Sequence, residues 1–219
     1  MSTVTLIRHG QANNSARDEH GYDKLSPLGA QQASWLGDHL RGSKEHFERV
    51  FCGTLVRHRE TAKAMGPAFH EPIQEDARLN EMQVFAMAQL LQDQQGIALP
   101  TRREDFLSFL PILMTKWRDG EIKDVPESFA QFEDRTQEVI AEINAGRGPA
   151  LVVTSGGFIG MVMRQSLGLE IPEFSRLCAS IMNSSVHRLH RIGDELMMTQ
   201  FNAVPHLDHP ERHYAQTHL

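Results

Sequence analysis

Three short runs of polar residues in this chain of 219 residues have the composition of a phosphate-binding site. Arg8 and His9 follow one apolar segment, Arg57 follows a second, and Ser155-Gly156-Gly157 follows a third. Guanidinium groups match phosphate oxygens, and free amides at a helix N-terminus add partial positive charge. A neutral imidazole among such groups can attack phosphorus. The three runs therefore predict an anion site, with His9 as a candidate nucleophile.

The elements that must position these residues form an α/β pattern. Apolar segments typical of buried strands cover residues 4–7, 50–52 and 150–153, and helical patterns separate them. In open α/β sheets, ligands bind beyond the carboxyl ends of the strands, where all three polar runs would lie. We predict a three-layer α/β/α sandwich with a mostly parallel sheet, in which residues 1–219 form one domain.

Local signals mark several element boundaries. Ser26-Pro27 has the composition of a helix start, and Gly42 can close that helix. Ser128 is a further predicted N-cap, and Gly168 marks the end of the helix after Gly157. Late in the chain, residues 186–192 and 195–201 flank Gly193-Asp194, which predicts an antiparallel hairpin.

The stretch from Met82 to Val125 departs from the strand–helix alternation. It carries two helical patterns, and we predict a helical insertion over residues 82–125 that covers the active-site end of the sheet. Its position makes Phe85, Phe106 and Trp117 candidate contacts for a substrate, although most apolar residues of such a stretch belong to the core.

Composition narrows the classes of protein. The formal net charge of −6 argues against non-specific binding to nucleic acid, which needs a basic surface. No apolar run approaches the roughly 18 residues of a membrane span, and the N-terminus lacks the pattern of a signal peptide. Cys52 and Cys178 are the only cysteines, too few for a disulfide framework. We expect a cytoplasmic protein without membrane or nucleic-acid partners.

Several motifs, in order along the chain, resemble those of the histidine phosphatase superfamily in its phosphoglycerate-mutase-like branch. The matching segments are Leu6–Gln11, Leu25–Ala33, Thr54–Ala62, Arg78–Glu81, Glu127–Ser128 with Arg135, and Phe201–Asn202 with His206–Leu207. Arg-His-Gly alone is a weak signal, but the ordered set is specific because each piece falls at a junction between predicted elements.

The resemblance implies a mechanism without metal or organic cofactor. His9 attacks phosphorus and becomes phosphohistidine, while Arg8 and Arg57 hold the phosphoryl oxygens. Glu81 donates a proton to the leaving alcohol and then accepts one from the attacking water. The substrate would be a small phosphate monoester, with inorganic phosphate as a product. The sequence leaves the oligomeric state open, a homodimer included.

The chain departs from the family pattern at Ser155, which stands where a second histidine is expected. A hydroxyl replaces an imidazole there, and the Ser155 hydroxyl and the Gly156 amide become candidate phosphate ligands. Gln11 and Asn13, in the loop after the first strand, are further candidates.

Four alternatives stay open. The substitution at Ser155 is compatible with a non-catalytic phosphate-binding module, and the resemblance also admits mutase-type phosphoryl transfer. A mutase would need further arginines after Glu81, for which Arg102-Arg103 are the nearest candidates. A serine hydrolase would use Ser155 with Asp194 or Asp208 and with His209 or His213. The histidines at 206, 209, 213 and 218 match no zinc spacing, so a metal site there is not favoured.

Overall fold

The structure is a computed structural model that describes residues 3–13, 15, 16, 18–66, 72–193 and 195–218, the side chain of Arg103 excepted. In these ranges the strands are Thr3–Arg8 (β1), Arg49–Cys52 (β2), Ile73–Glu75 (β3), Ala150–Thr154 (β4), Val186–Ile192 (β5) and Glu195–Ala203 (β6). The α-helices are Glu19–Tyr22 (α1), Pro27–Gly42 (α2), Val56–Ala64 (α3), Val84–Gln95 (α4), Arg103–Arg118 (α5), Phe129–Ala145 (α6), Gly156–Leu167 (α7) and Ile171–Ser180 (α8).

The strands form one mixed sheet in the order β3-β2-β4-β1-β5-β6. The pairs β2–β3, β2–β4 and β1–β4 are parallel, and β5 runs antiparallel to both β1 and β6. The prediction of a mostly parallel sheet with antiparallel pairing late in the chain is therefore confirmed.

Helices cover both faces of the sheet, because alternate residues of the central strands face opposite sides. Ala150 and Val152 pack with α4 to α8, whereas Leu151 and Val153 pack with α2 and α3. All four are fully buried. A strand buried on both faces is a continuous apolar run, which is typical of the centre of a parallel sheet. The predicted three-layer sandwich is confirmed.

Most of the predicted helix boundaries agree with the structure. Ser26 accepts a hydrogen bond from the Gly29 amide at the start of α2, and Ser128 forms a capping box with Gln131 at the start of α6. Gly168 ends α7 in the left-handed conformation, with φ of +64°. Gly42 is instead the last residue of α2 and Ser43 caps it, so the predicted closing role of Gly42 is wrong.

Three elements were not expected from the sequence: β3, α1 and α8. The edge strand β3 has three exposed residues and therefore shows no apolar periodicity. Helix α1 is a single turn, capped by Asp18. The predicted hairpin is present, and its second strand continues to Ala203 rather than ending at Phe201. The predicted turn residue Asp194 lies outside the described residues.

Helices α4 and α5 occupy the stretch that was predicted as a helical insertion. Their buried side chains, including Leu91 and Leu113, join the same core as Phe132 of α6. Trp117 belongs to this core too: its ring packs against Phe129 and Phe132, and its Nε1 donates to the carbonyl of Glu127. No helix in the described part of the chain has the length and apolar character needed to cross a bilayer.

Candidate active site

Three neighbouring parallel strands bring the polar runs together. Arg8 ends β1 and pairs in register with Thr154, the last residue of β4. The His9 amide donates to the Thr154 carbonyl at 2.8 Å, so His9 and Ser155 leave the sheet side by side. On the other side of β4, strand β2 leads into α3, whose first turn carries Arg57. The sheet order alone thus places residues 8, 57 and 155 at one edge.

A cavity of about 370 Å³ opens at this edge. Its polar end is lined by Arg8, Arg57, Glu81, Gly156 and Gly157. The apolar wall is formed by α4, α5 and the segment between them, with Val84, Phe85, Leu99, Pro100, Phe106, Leu110 and Met114. The predicted insertion therefore covers the end of the sheet where the candidate residues meet. Phe85 and Phe106 line the cavity, and Trp117 does not.

His9 is almost completely buried behind this lining, next to Arg8. Its Nδ1 lies 2.7 Å from the Gly10 carbonyl oxygen. Because a carbonyl oxygen only accepts, Nδ1 carries the hydrogen and Nε2 keeps its lone pair. Burial holds the pKa of His9 well below its ordinary value, and the positive charges of Arg57 and Arg8 lower it further. The ring is therefore a neutral imidazole with a free Nε2.

The two arginines keep part of their hydrogen-bonding capacity. Arg8 donates to the Ile181 carbonyl, and Arg57 pairs with Asp23 at 3.1 Å. The Nε atoms of both arginines are buried and have no hydrogen-bond partner among the described residues. Asp23 also accepts from the amides of Val56 and Arg57, so it fixes the start of α3 and the guanidinium together. The arrangement can bind an anion at two fixed guanidinium groups.

Glu81 lies between the cavity and the start of α7. Its Oε2 accepts from the Gly157 amide at 2.9 Å, and its Oε1 accepts from the Met82 amide at 3.0 Å. A Cβ at position 157 would lie 2.3 Å from the Glu81 carboxylate, so only glycine allows this approach. The Gly157 amide is thus occupied by Glu81, although Gly156 and Gly157 both line the cavity.

Ser155 contacts a histidine that the sequence analysis did not single out. His58 Nε2 lies 2.6 Å from Ser155 Oγ, and both residues are fully buried. The ring of His58 lies 5.7 Å from that of His9, centroid to centroid. Burial, followed by the charge of Arg57, lowers the pKa of His58 well below its ordinary value. The sequence signal that could have identified His58 is its position directly after Arg57, within the motif Thr54–Ala62.

Gln11 and Asn13 do not line the cavity. Gln11 Oε1 accepts from the Ser26 hydroxyl at 2.8 Å, and Asn13 Nδ2 donates to the Gly21 carbonyl at 2.9 Å. Both side chains therefore hold the loop after β1 against its neighbours.

Arg102 does line the cavity, but its side chain is mostly exposed and forms an ion pair with Glu104 at 3.3 Å.

The arrangement around Ser155 differs from the serine hydrolase alternative. The imidazole on its hydroxyl belongs to His58 and not to His209 or His213, and Asp194 lies outside the described residues. Nδ1 of His58 has no hydrogen-bond partner in the described ranges, so this pair lacks a carboxylate. Such a triad needs an acid to orient its histidine.

Among the described residues, no three His, Cys, Asp or Glu side chains lie close enough together to hold a metal ion.

Comparison with models of protein families shows which family this chain matches. The model of the histidine phosphatase superfamily (branch 1) matches residues 4–204. The chain belongs to the histidine phosphatase superfamily. Comparison with curated proteins gives no match.

Solved structures of the superfamily fold resemble the chain over most of its length. A phosphoglycerate mutase from Bacillus anthracis superposes with a TM-score of 0.71 at 19% identity, covering 94% of each chain. A phosphoserine phosphatase from Entamoeba histolytica, crystallised with phosphoserine, superposes with a TM-score of 0.68 at 17% identity, and the match covers 94% of this chain and 100% of that one. A mycobacterial glucosyl-3-phosphoglycerate phosphatase superposes with a TM-score of 0.65 at 22% identity, and the match covers 92% of this chain and 98% of that one. At these identities the likeness establishes the fold.

Proposed function

We propose that the protein is a phosphatase that hydrolyses a small phosphate monoester through a phosphohistidine at His9. The observation that carries the proposal is the neutral, buried imidazole of His9 beside two guanidinium groups. Its Nδ1 hydrogen is held by Gly10, its Nε2 is free, and its pKa is lowered by burial and by Arg57 and Arg8. A nucleophile of this kind needs no deprotonation before it attacks phosphorus.

In the first step, Nε2 of His9 forms a bond to phosphorus while the bond between phosphorus and the alcohol oxygen breaks. Glu81 donates its proton to that oxygen, and the alcohol leaves. Arg8 and Arg57 offset the negative charge on the equatorial oxygens, which is largest in the transition state. In the second step a water gives a proton to Glu81 and forms a bond to phosphorus while the bond between phosphorus and Nε2 of His9 breaks, which releases inorganic phosphate and restores the neutral imidazole.

The start of α7 contributes to the same site. Gly156 lines the cavity at a helix N-terminus, where amides and the helix dipole favour an anion. We assign Ser155 and Gly156 to the phosphoryl group. Gln11 and Asn13 act through the loop that they hold, since their side chains are engaged by Ser26 and Gly21.

The test compares wild type with His9→Ala on 4-nitrophenyl phosphate between pH 5 and 8. His46→Ala is the matched control, because His46 is an exposed histidine. We expect His9→Ala to lose activity to background and His46→Ala to keep it. A phosphorylated peptide that contains His9, trapped by rapid quenching of the wild type, would identify the intermediate.

The other outcomes separate the alternatives. Activity that survives in His9→Ala refutes the mechanism. Tight binding of inorganic phosphate without turnover of any ester favours the binding module. Release of the alcohol without an equal amount of free phosphate, in the presence of an acceptor alcohol, favours mutase-type transfer.

A further inference from the structure

The cavity beside the proposed catalytic residues is polar at one end and apolar along its wall. Val84 and Phe85 of α4, Leu99 of the connecting segment, and Phe106, Leu110 and Met114 of α5 face it. The phosphoryl group belongs at the polar end with Arg8 and Arg57. The organic part of a substrate must then extend along the apolar wall.

The charges of the described residues around the cavity disfavour a second anionic group on that organic part. Among the described residues that line it, the cations are Arg8, Arg57 and Arg102. The first two lie at the phosphoryl end, and Arg102 is mostly exposed and paired with Glu104. Away from the phosphoryl end, a carboxylate on the substrate would meet, among these residues, only a cation that is already paired with a carboxylate.

An acidic side chain adds repulsion. Glu19 lines the cavity, and its carboxylate accepts a hydrogen bond from the Phe85 amide at 3.2 Å, beside the apolar wall. A substrate carboxylate near Phe85 would meet this group, and like charges in a partly buried site repel each other.

We propose that the substrate is the phosphate monoester of an uncharged, mainly apolar alcohol or phenol, whose organic group packs against α4 and α5. The inference rests on the proposed function of the same cavity. The volume of about 370 Å³ is in the range that holds a small organic ligand. Each methylene moved from water to such a wall should raise kcat/KM about fourfold until the cavity is filled.

The experiment measures kcat/KM for ethyl, butyl, hexyl and octyl phosphate, with phosphoserine and 3-phosphoglycerate as charged contrasts. Binding of the corresponding alkylphosphonates, which cannot be hydrolysed, is measured by calorimetry on the same protein. Phe106→Ala removes part of the wall. Leu107→Ala is its control, because Leu107 is on the same helix, is 56% exposed and does not line the cavity.

We expect kcat/KM and phosphonate affinity to rise with chain length, Phe106→Ala to flatten both series, and Leu107→Ala to leave them unchanged. Phosphate release that is independent of chain length, or faster from the charged esters, overturns the substrate class and leaves the phosphatase in place. Phosphonate affinity that rises with chain length, without hydrolysis of any ester, supports the apolar site and contradicts the phosphatase. Flat phosphonate binding without hydrolysis contradicts both.

Discussion

The hydrogen bond between Ser155 and His58 makes a sharp prediction for Ser155→Ala. Nδ1 of His58 has no hydrogen-bond partner among the described residues, so the tautomer with its hydrogen on Nε2 avoids a buried, unpaired N–H group. In that tautomer His58 donates to Ser155 Oγ across 2.6 Å. The hydroxyl hydrogen of Ser155 is then free, since its side chain makes no capping bond to α7. We expect this hydrogen to be donated to a phosphoryl oxygen.

The magnitude follows from what the substitution removes. A hydrogen bond to a charged oxygen contributes about 1.5–3 kcal/mol, which corresponds to roughly 10–150-fold in kcat. Ser155→Ala also leaves both nitrogens of a fully buried imidazole without partners, which costs about 1–3 kcal/mol of unfolding free energy. The free energy of unfolding of a folded protein is normally about 5–15 kcal/mol, so the variant should remain folded and can be assayed.

A second pair in the molecule provides the control. Ser184 Oγ lies 2.8 Å from His206 Nε2, both residues are buried, and Nδ1 of His206 also lacks a partner in the described part of the chain. Unlike Ser155, Ser184 does not stand at the start of α7, and its amide, which donates to the His9 carbonyl, is unchanged by the substitution. Ser184→Ala should therefore lose similar stability in urea unfolding and keep its kcat. Ser155→Thr, which retains a hydroxyl, should recover part of the activity.

The assay is kcat for 4-nitrophenyl phosphate, together with the free energy of unfolding for each variant. If kcat of Ser155→Ala stays within about twofold of wild type, the hydroxyl does not serve the phosphoryl group. The hydrogen bond between Ser155 and His58 would then have a structural role only. The proposed donation from Ser155 to a phosphoryl oxygen would be refuted.

Three further predictions test other parts of the molecule. Glu81→Gln should lower kcat/KM for an alkyl phosphate by about 10²–10⁴-fold and for 4-nitrophenyl phosphate much less, because nitrophenolate leaves without a proton; equal losses would contradict the acid role. Gly157→Ala would place a Cβ 2.1 Å from Met82 Cε and 2.3 Å from Glu81 Oε1, so we expect lower kcat and about 1–3 kcal/mol lower stability in urea, and unchanged values would contradict this packing. Burial lowers the pKa of His187 and of His206 from 6.5 to about 3. The unfolded chain therefore binds protons first as the pH falls, and stability should drop below about pH 6.5, by about 2 kcal/mol for each histidine at pH 5; equal urea midpoints at pH 7 and pH 5 would refute this.

The residues that sequence alone could place are those fixed by local signals. Arg8 and His9 end a continuous apolar strand, and Ser26 and Ser128 cap helices through bonds to amides three residues away. Such contacts depend on neighbours along the chain, so periodicity and capping residues reveal them. The same holds for helices α4 and α5, whose apolar stripes are regular.

The parts that sequence could not place depend on contacts between distant elements. His58 and Ser155 are 97 positions apart, and they meet only because β4 lies directly beside β2 in the sheet. The pairing of Arg57 with Asp23 depends on how the loop after β1 folds back onto α3. The position of Trp117 along its helix fits a core residue as well as a residue that lines the cavity. The packing of α5 against α6 places it in the core.

The two arginines of the site have two effects that support the same chemistry. Their charges help to keep the pKa of His9 low, so the proposed nucleophile is neutral. Their positions at the polar end of the cavity would draw the phosphoryl dianion of the proposed substrate to the same place. A carboxylate on Nδ1 would raise the pKa of the ring and add negative charge near the phosphate, whereas the Gly10 carbonyl orients the ring and carries no net charge. The fold thus obtains an oriented, neutral imidazole and a cationic anion site from the same few residues at the ends of β1 and β2.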